Sequence, residues 1–165
     1  MEVKTEFGSL QHWEKGGVNA INANPKHYVF SNVFEVASKS KPYDKVAVGQ
    51  NLKYALEAVR AEGTSPWFAA NNDEAAVVMD GDIEIHLIEP FQPVVPTGKE
   101  GAIRLDAEPK GKNMGWMKVK RGHMALLPKG AAYQFRNHGE PGVMLLQTIK
   151  GDLTVEKWAE ICQTV

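Results

Sequence analysis

The sequence predicts an all-β fold, a small barrel or jelly roll that carries two short helices. Three observations lead there. Between residues 66 and 149 short β-prone runs alternate with turn residues, as in AAVVM and IEIHLI on either side of Asp80-Gly81-Asp82. Asp-Gly between two such runs is a hairpin signal. Within IEIHL apolar and polar side chains alternate, the pattern of a strand buried on one face. Many short strands with long loops indicate a barrel or a jelly roll.

Taken in order, residues 1–25 are polar, contain Gly16 and Gly17, end at Pro25, and read as an N-terminal arm. HYVFSNVFEVAS, residues 27–38, carries the aromatic and β-branched residues of a strand. Residues 49–63 give the clearest helix expectation. Leu52, Leu56 and Val59 recur at helical spacing, Asn51 stands at the cap, and Gly63 sits where a C′ glycine belongs. The barrel core is expected over residues 66–149. Residues 91–115, rich in Pro, Gly and Lys, read as a long surface excursion within it. A second helix is expected over residues 154–163, capped by Thr154, with Trp158 and Ile161 on one face. The whole chain, 1–165, reads as one domain.

Composition narrows the function classes. Hydrophobic residues make up 43% and charged residues 24%, enough apolar material for one core. The net charge is −1 and no basic run stands out, which argues against nucleic acid and against an anionic membrane surface. The apolar run at residues 75–79 is far shorter than the ~20 residues of a membrane span. The N-terminal stretch has no apolar core of the kind a secretion signal needs. The one cysteine, Cys162, permits no internal disulfide. These features predict a cytoplasmic, reducing location.

A specific pattern begins at Gly122. Gly122, Pro128, Gly130 and Asn137 stand at the fixed positions of G-x5-P-x-G-x2-H-x3-N, with Tyr133 where the histidine belongs. This resembles the second motif of the cupins. A glycine allows the tight turn, proline stiffens it, and the following strand projects residue 133 into the barrel. The first cupin motif, G-x5-H-x-H-x3-4-E-x6-G, is represented by Glu74 and Gly81. Its two histidine positions fall on Trp67 and Ala69, or on Phe68 and Ala70 with the shorter gap. A mononuclear iron or manganese site needs three or four converging N or O donors. Glu74 is one, and Tyr133 is a weak second. The expectation is a cupin-type double-stranded β-helix with no metal of its own.

The other chemistry-bearing residues give no competing site. His12, His27, His86, His123 and His138 have no ligand spacing with one another. All read as surface or hydrogen-bonded histidines; His123 alone flanks the motif. Arg60, Arg104, Lys118 and Lys120 read as solvated charges. Asp73 and Glu74 resemble a carboxylate pair but have no base or nucleophile beside them. No Ser-His-Asp arrangement, phosphate loop or nucleotide motif is present. Trp67, Phe68, Tyr133 and Phe135 bring aromatic bulk to the barrel. They either fill an interior that has no cofactor to hold, or form a wall against a flat ligand or a partner.

Four longer segments carry a closer resemblance: HYVFSNVFEVASKSKPY, NLKYALEAVRAEGTSPWFAANNDE, GHMALLPKGAAYQF and LLQTIKGDLTVEKWAEICQ. In content and order they resemble the small subunit of the two-subunit hydroquinone 1,2-dioxygenases, oxidoreductases of bacterial aromatic-compound degradation. The resemblance implies a division of labour. A larger, cupin-like subunit holds Fe(II) and binds oxygen, while the small subunit is a metal-free cupin paired with it in a heterotetramer. The reaction opens hydroquinone to 4-hydroxymuconic semialdehyde. The small subunit would then complete the substrate pocket, with Trp67 first and Tyr133 second as residues that reach the substrate. Phe68 and Phe135 stand behind them, and Glu74 and His123 in a second tier. Cupins commonly pair by exchanging N-terminal strands, which makes residues 27–38 the expected homodimer segment. Two other readings stay open: a stand-alone cupin enzyme using Glu74, Tyr133 and His123 for an atypical metal, and a metal-free small-molecule-binding cupin.

Overall fold

The computed structural model describes residues 8–14 and 32–156. Its one described helix is α1 (Val33–Ser38), followed by ten strands. These are β1 (Lys45–Asn51), β2 (Tyr54–Thr64), β3 (Trp67–Ala70), β4 (Glu74–Asp80) and β5 (Ile83–Pro90). The rest are β6 (Ala102–Leu105), β7 (Gly111–Val119), β8 (Met124–Leu127), β9 (Ala132–Ile149) and β10 (Thr154–Val155).

β9 organises the barrel because it runs through both of its walls. Its second half pairs with β2 on one side and β4 on the other. β1 and then β10 extend that wall beyond β2, and β8 extends it beyond β4. The first half of β9 pairs with β3 and β5, with β6 beyond β3 and β7 beyond β5. The two walls curl face to face. Val59, Ala76, Val78, Leu127, Met144 and Leu146 of the first meet Phe68, Ile83, Ile85, Leu87, Tyr133 and Phe135 of the second in one buried core. Burying that apolar face is the main favourable term of the fold. The architecture is the double-stranded β-helix that the motif spacing predicted.

Several local expectations are corrected. The helix expected over 49–63 is β2 and the end of β1, joined by a tight turn that holds Leu52 at φ 57. Leu52 is 92% exposed, so one of the residues that set the helical spacing points at water. The period that governs is two: Ala55, Glu57, Val59 and Ala61 are buried on the barrel side. Gly63, at φ 70, lies at an irregularity in the β2–β9 ladder and caps no helix. The barrel therefore begins at β1, ahead of residue 66.

Residues 27–38 do not form the expected strand where they are described. Asn32 caps α1 by accepting the Phe34 N–H at 2.9 Å. Val36 of α1 packs on Val46 and Ala58, and Phe34 and Ala37 pack on Val143. Leu10 and Trp13, in the described part of the arm, join that second cluster. A helix with two apolar faces to cover outcompetes the β propensity of its residues. Residues 27–31 lie outside the described residues.

Asp80-Gly81 turns the chain, with Gly81 at φ 89, but β4 and β5 do not pair with each other. The turn is a corner between the walls, each strand finding its partner in β9. Residues 91–115 include β6 and the start of β7, so the excursion is partly sheet. Thr154 and Val155 belong to β10, parallel to β1, so the C-terminal helix does not start there. Its remainder beyond 156, with Cys162, lies outside the described residues. Among the described residues no helix is long and apolar enough to cross a membrane.

Candidate functional site

Strand alternation turns a small set of polar side chains into the barrel. Lys45 on β1, Glu57 on β2, Glu74 on β4 and Tyr133 on β9 are all buried. The Tyr133 hydroxyl donates to Glu74 Oε2 at 2.5 Å and accepts from Lys45 Nζ at 3.0 Å. Glu57 Oε1 accepts from the Thr154 hydroxyl at 2.7 Å. Among the described residues, Glu57 Oε2 and Glu74 Oε1 have no hydrogen-bond partner. Aromatic rings close the cluster: Phe68 and Phe135 lie 5.8 and 5.4 Å from the Tyr133 ring, centroid to centroid.

The electrostatics follow from burial. Desolvation pushes the Tyr133 hydroxyl well above its ordinary range, and the Glu74 carboxylate pushes it further. Desolvation also raises Glu57, opposed by the Lys45 ammonium and the Thr154 hydrogen bond. Tyr133 therefore stays a neutral hydrogen-bonding group at physiological pH.

The turn residues of the second motif act as that motif requires. Gly122 and Gly130 have φ 85 and 77, and the Gly130 N–H donates to the Ala70 carbonyl at 2.9 Å. Asn137 Nδ2 donates to the carbonyls of Ala61 and Glu140, and its Oδ1 accepts the Gly139 N–H, pinning the bend within β9. The same geometry settles which residues replace the two histidines. Phe68 faces the interior core while Trp67 and Ala69 pack in a separate cluster on the outer face. The inward positions are thus Phe68 and Ala70.

These residues do not fit a cupin metal. Phe68 and Ala70 are hydrocarbon, Tyr133 and Glu74 are bonded to each other, and an ammonium sits against the tyrosine oxygen. Among the described residues no group of three or more His, Cys, Asp and Glu side chains is placed to hold a metal ion.

Of the residues singled out from sequence, Glu74, Tyr133, Phe68 and Phe135 come together. Trp67 and His123 stand apart. His123 is exposed, and its Nδ1 accepts the Lys120 N–H at 2.9 Å, a turn contact on the surface. It is not part of a ligand set with Glu74 and Tyr133. Asp73 does not pair with Glu74: its carboxylate accepts the Lys129 N–H at 2.8 Å on the exposed turn.

Trp67, 6% exposed, borders two open grooves. One, of about 510 Å³, is lined by Trp67, His86, Phe91, Lys110, Asn113 and Arg136, among others. The His86 ring stacks on Trp116 at 5.9 Å, and Trp116 is 60% exposed. The other groove, of about 520 Å³, includes Tyr43, Arg104 and Gln134.

Sequence reasoning missed Lys45 and Glu57. The signal for Glu57 was available in the alternation Ala55, Glu57, Val59, Ala61, but the helical reading of 49–63 hid it. Lys45 carried a fainter one, as a base opening the β-branched run KVAVGQN.

A curled two-walled barrel with its turn residues at Gly122, Pro128, Gly130 and Asn137, and Glu74 inside, is a cupin. No family model matches the chain, and neither does any curated relative. Solved structures do. The chain is 51% identical to one from hydroquinone 1,2-dioxygenase PnpCD in complex with Cd2+ and 4-hydroxybenzonitrile, covering 99% of this chain and 98% of that one at a TM-score of 0.91. It is also 51% identical to a chain of the hydroquinone 1,2-dioxygenase from Sphingomonas sp. TTNP3 with 4-hydroxybenzoate bound, covering 99% of each at a TM-score of 0.93. The chain belongs to the hydroquinone 1,2-dioxygenase family, as the small chain of a two-subunit enzyme. A longer chain of the PnpCD enzyme, in its Fe3+ complex, matches at 12% identity and a TM-score of 0.62 over 38% of its length, a likeness of fold alone.

Proposed function

We propose that this chain is the accessory, metal-free cupin of a ferrous-iron ring-cleavage dioxygenase that converts hydroquinone to 4-hydroxymuconic semialdehyde. The iron belongs to the larger subunit, and this chain completes the wall of that subunit's substrate pocket in a cytoplasmic heterotetramer. The observation that carries the reading is the 51% identity to hydroquinone 1,2-dioxygenase chains with both partners covered almost end to end. The barrel chemistry agrees with it, since Phe68, Ala70 and Tyr133 stand where the histidine ligands would and the Lys45 ammonium lies against the tyrosine oxygen.

Two surface features support a protein partner. On the outer face of the first wall, Met124 and Leu126 of β8 and Tyr54 and Leu56 of β2 are exposed apolar residues. Exposed apolar surface of this kind marks interaction sites. On the second wall, Trp67 borders grooves with other aromatic and basic side chains. Trp67 takes the substrate-facing role, because Tyr133 and Phe135 lie inside the barrel with the Tyr133 hydroxyl already bonded. Large aromatic residues at such edges present apolar area with one polar handle.

The test is reconstitution with the larger subunit and Fe(II), followed by oxygen uptake with hydroquinone. Trp67 is nearly buried, so Trp67→Ala removes core contacts worth about 3–5 kcal/mol as well as any pocket contact. Trp67→Phe separates the two effects. The expected outcome is a several-fold rise in KM for hydroquinone with the circular-dichroism spectrum and assembly unchanged. Wild-type kinetics in a properly assembled Trp67→Phe complex would reject the pocket role. Turnover of hydroquinone by this chain alone with Fe(II) would reject the accessory role.

A further inference from the structure

We propose that the Lys45 ammonium is the resident cation of this barrel, standing where a cupin holds its metal, and that its removal opens a divalent-metal site formed by Glu57, Glu74 and Tyr133. The inference does not depend on the partner subunit; it rests on the barrel interior alone.

Position comes first. Lys45 Nζ is 3.0 Å from the Tyr133 hydroxyl and 4.8 Å from the centre of the Phe68 ring. Tyr133 and Phe68 occupy two of the inward histidine positions of the cupin motifs, so the nitrogen lies against the former ligand sphere. It also lies 5.5 Å from the Tyr133 ring centre, and both ring faces attract a cation.

Charge comes second. Glu57 and Glu74 are carboxylates facing the barrel interior and 1% exposed, and Lys45 is the only buried base among the described residues. A buried anion without a counter-charge costs several kcal/mol. In a metal-loaded cupin the ion supplies that positive charge, and here the lysine does.

Donor inventory comes third. Glu57 Oε2 and Glu74 Oε1 are buried and have no hydrogen-bond partner among the described residues. With the Tyr133 oxygen they offer three oxygen atoms once the ammonium is gone, a set suited to a borderline or hard divalent ion. An ammonium cannot serve as a ligand and repels a second cation, so the lysine both replaces the metal and excludes it.

The experiment compares wild type, Lys45→Ala and the double variant Lys45→Ala/Glu74→Gln, each stripped of metal and titrated with Co(II) and Zn(II). Lys45→Ala should take up one equivalent of Co(II) with visible d–d absorption. At Zn(II) a hundredfold above its Kd, its Tm should rise by about 5–10 °C. Wild type should show neither response, and the double variant should bind at least tenfold more weakly. A folded Lys45→Ala that takes up no metal overturns the proposal, as does a wild type that binds as well as the variant. Should Lys45→Ala fail to fold when stripped, refolding with Zn(II) decides. Recovery only with metal supports the proposal, and failure with and without metal overturns it.

Discussion

Tyr133→Phe deletes one oxygen from the barrel interior and leaves the ring in place. That oxygen serves two charged groups, donating to Glu74 at 2.5 Å and accepting from Lys45 at 3.0 Å. Both partners stay buried after the substitution, so neither regains water. Hydrogen bonds to charged groups contribute about 1.5–3 kcal/mol each. The two are not additive, because Lys45 can turn toward the Glu74 carboxylate and recover part of the loss. The expected cost is about 3 kcal/mol, with no cavity contribution because the ring is retained. For a chain of this size that lowers Tm by about 6–12 °C. Tyr43→Phe is the internal comparison. Its hydroxyl donates to one neutral carbonyl, that of Gly63, at 2.5 Å, so its loss should cost about 1 kcal/mol. Urea unfolding at pH 7 measures both, provided the m-values match wild type. A Tyr133→Phe cost at or below that of Tyr43→Phe would refute the claim that the hydroxyl links two buried charges.

Glu57 should make stability fall with rising pH. Burial raises it above its ordinary value near 4.5, so the folded chain holds this proton to higher pH than the unfolded chain. Its contribution is complete below that value and lost as pH rises through the folded pKa. Glu57→Gln keeps an acceptor for Thr154 and removes the loss, so its stability relative to wild type should improve from pH 5 to pH 8 in urea titrations. A constant difference across that range would contradict the assignment. Burial raises Tyr43 and Tyr133 alike, so tyrosinate absorbance at 295 nm should lag behind free tyrosine above pH 10. In Tyr133→Phe the lagging amplitude should shrink by one tyrosine; an unchanged trace argues against burial of that hydroxyl. Gly81→Ala should cost about 1–3 kcal/mol by chemical denaturation, since φ is 89 and a Cβ would stand 2.8 Å from the Gly142 backbone. A neutral result would mean that the corner between the walls gives way easily.

Much of the barrel was legible because its signals are local. The spacing from Gly122 to Asn137 specifies one turn and the strand after it, and alternation in IEIHL specifies which side faces inward. The loss of histidine at residue 133 is equally a matter of counting. Residues 49–63 misled for an equally local reason. Alanine, glutamate and leucine suit a helix in isolation, and only pairing with β9 makes the period-two burial of Ala55, Glu57, Val59 and Ala61 visible. The C-terminal expectation failed similarly at Thr154, which pairs in parallel with Lys45.

By itself the sequence determined the cupin turn, the absence of histidine ligands at its motif positions, and the relatedness carried by four long segments. Tertiary structure alone decided that Phe68 rather than Trp67 faces the interior, and that His123 is a surface turn residue. It alone brought Lys45 to Tyr133 across 88 residues of chain, Glu74 to Tyr133 across 59, and Thr154 to Glu57 across 97. The physical reason is range. Propensity and periodicity describe what a segment prefers among its neighbours, whereas the charge inside a closed barrel is balanced only when strands from both ends of the chain meet.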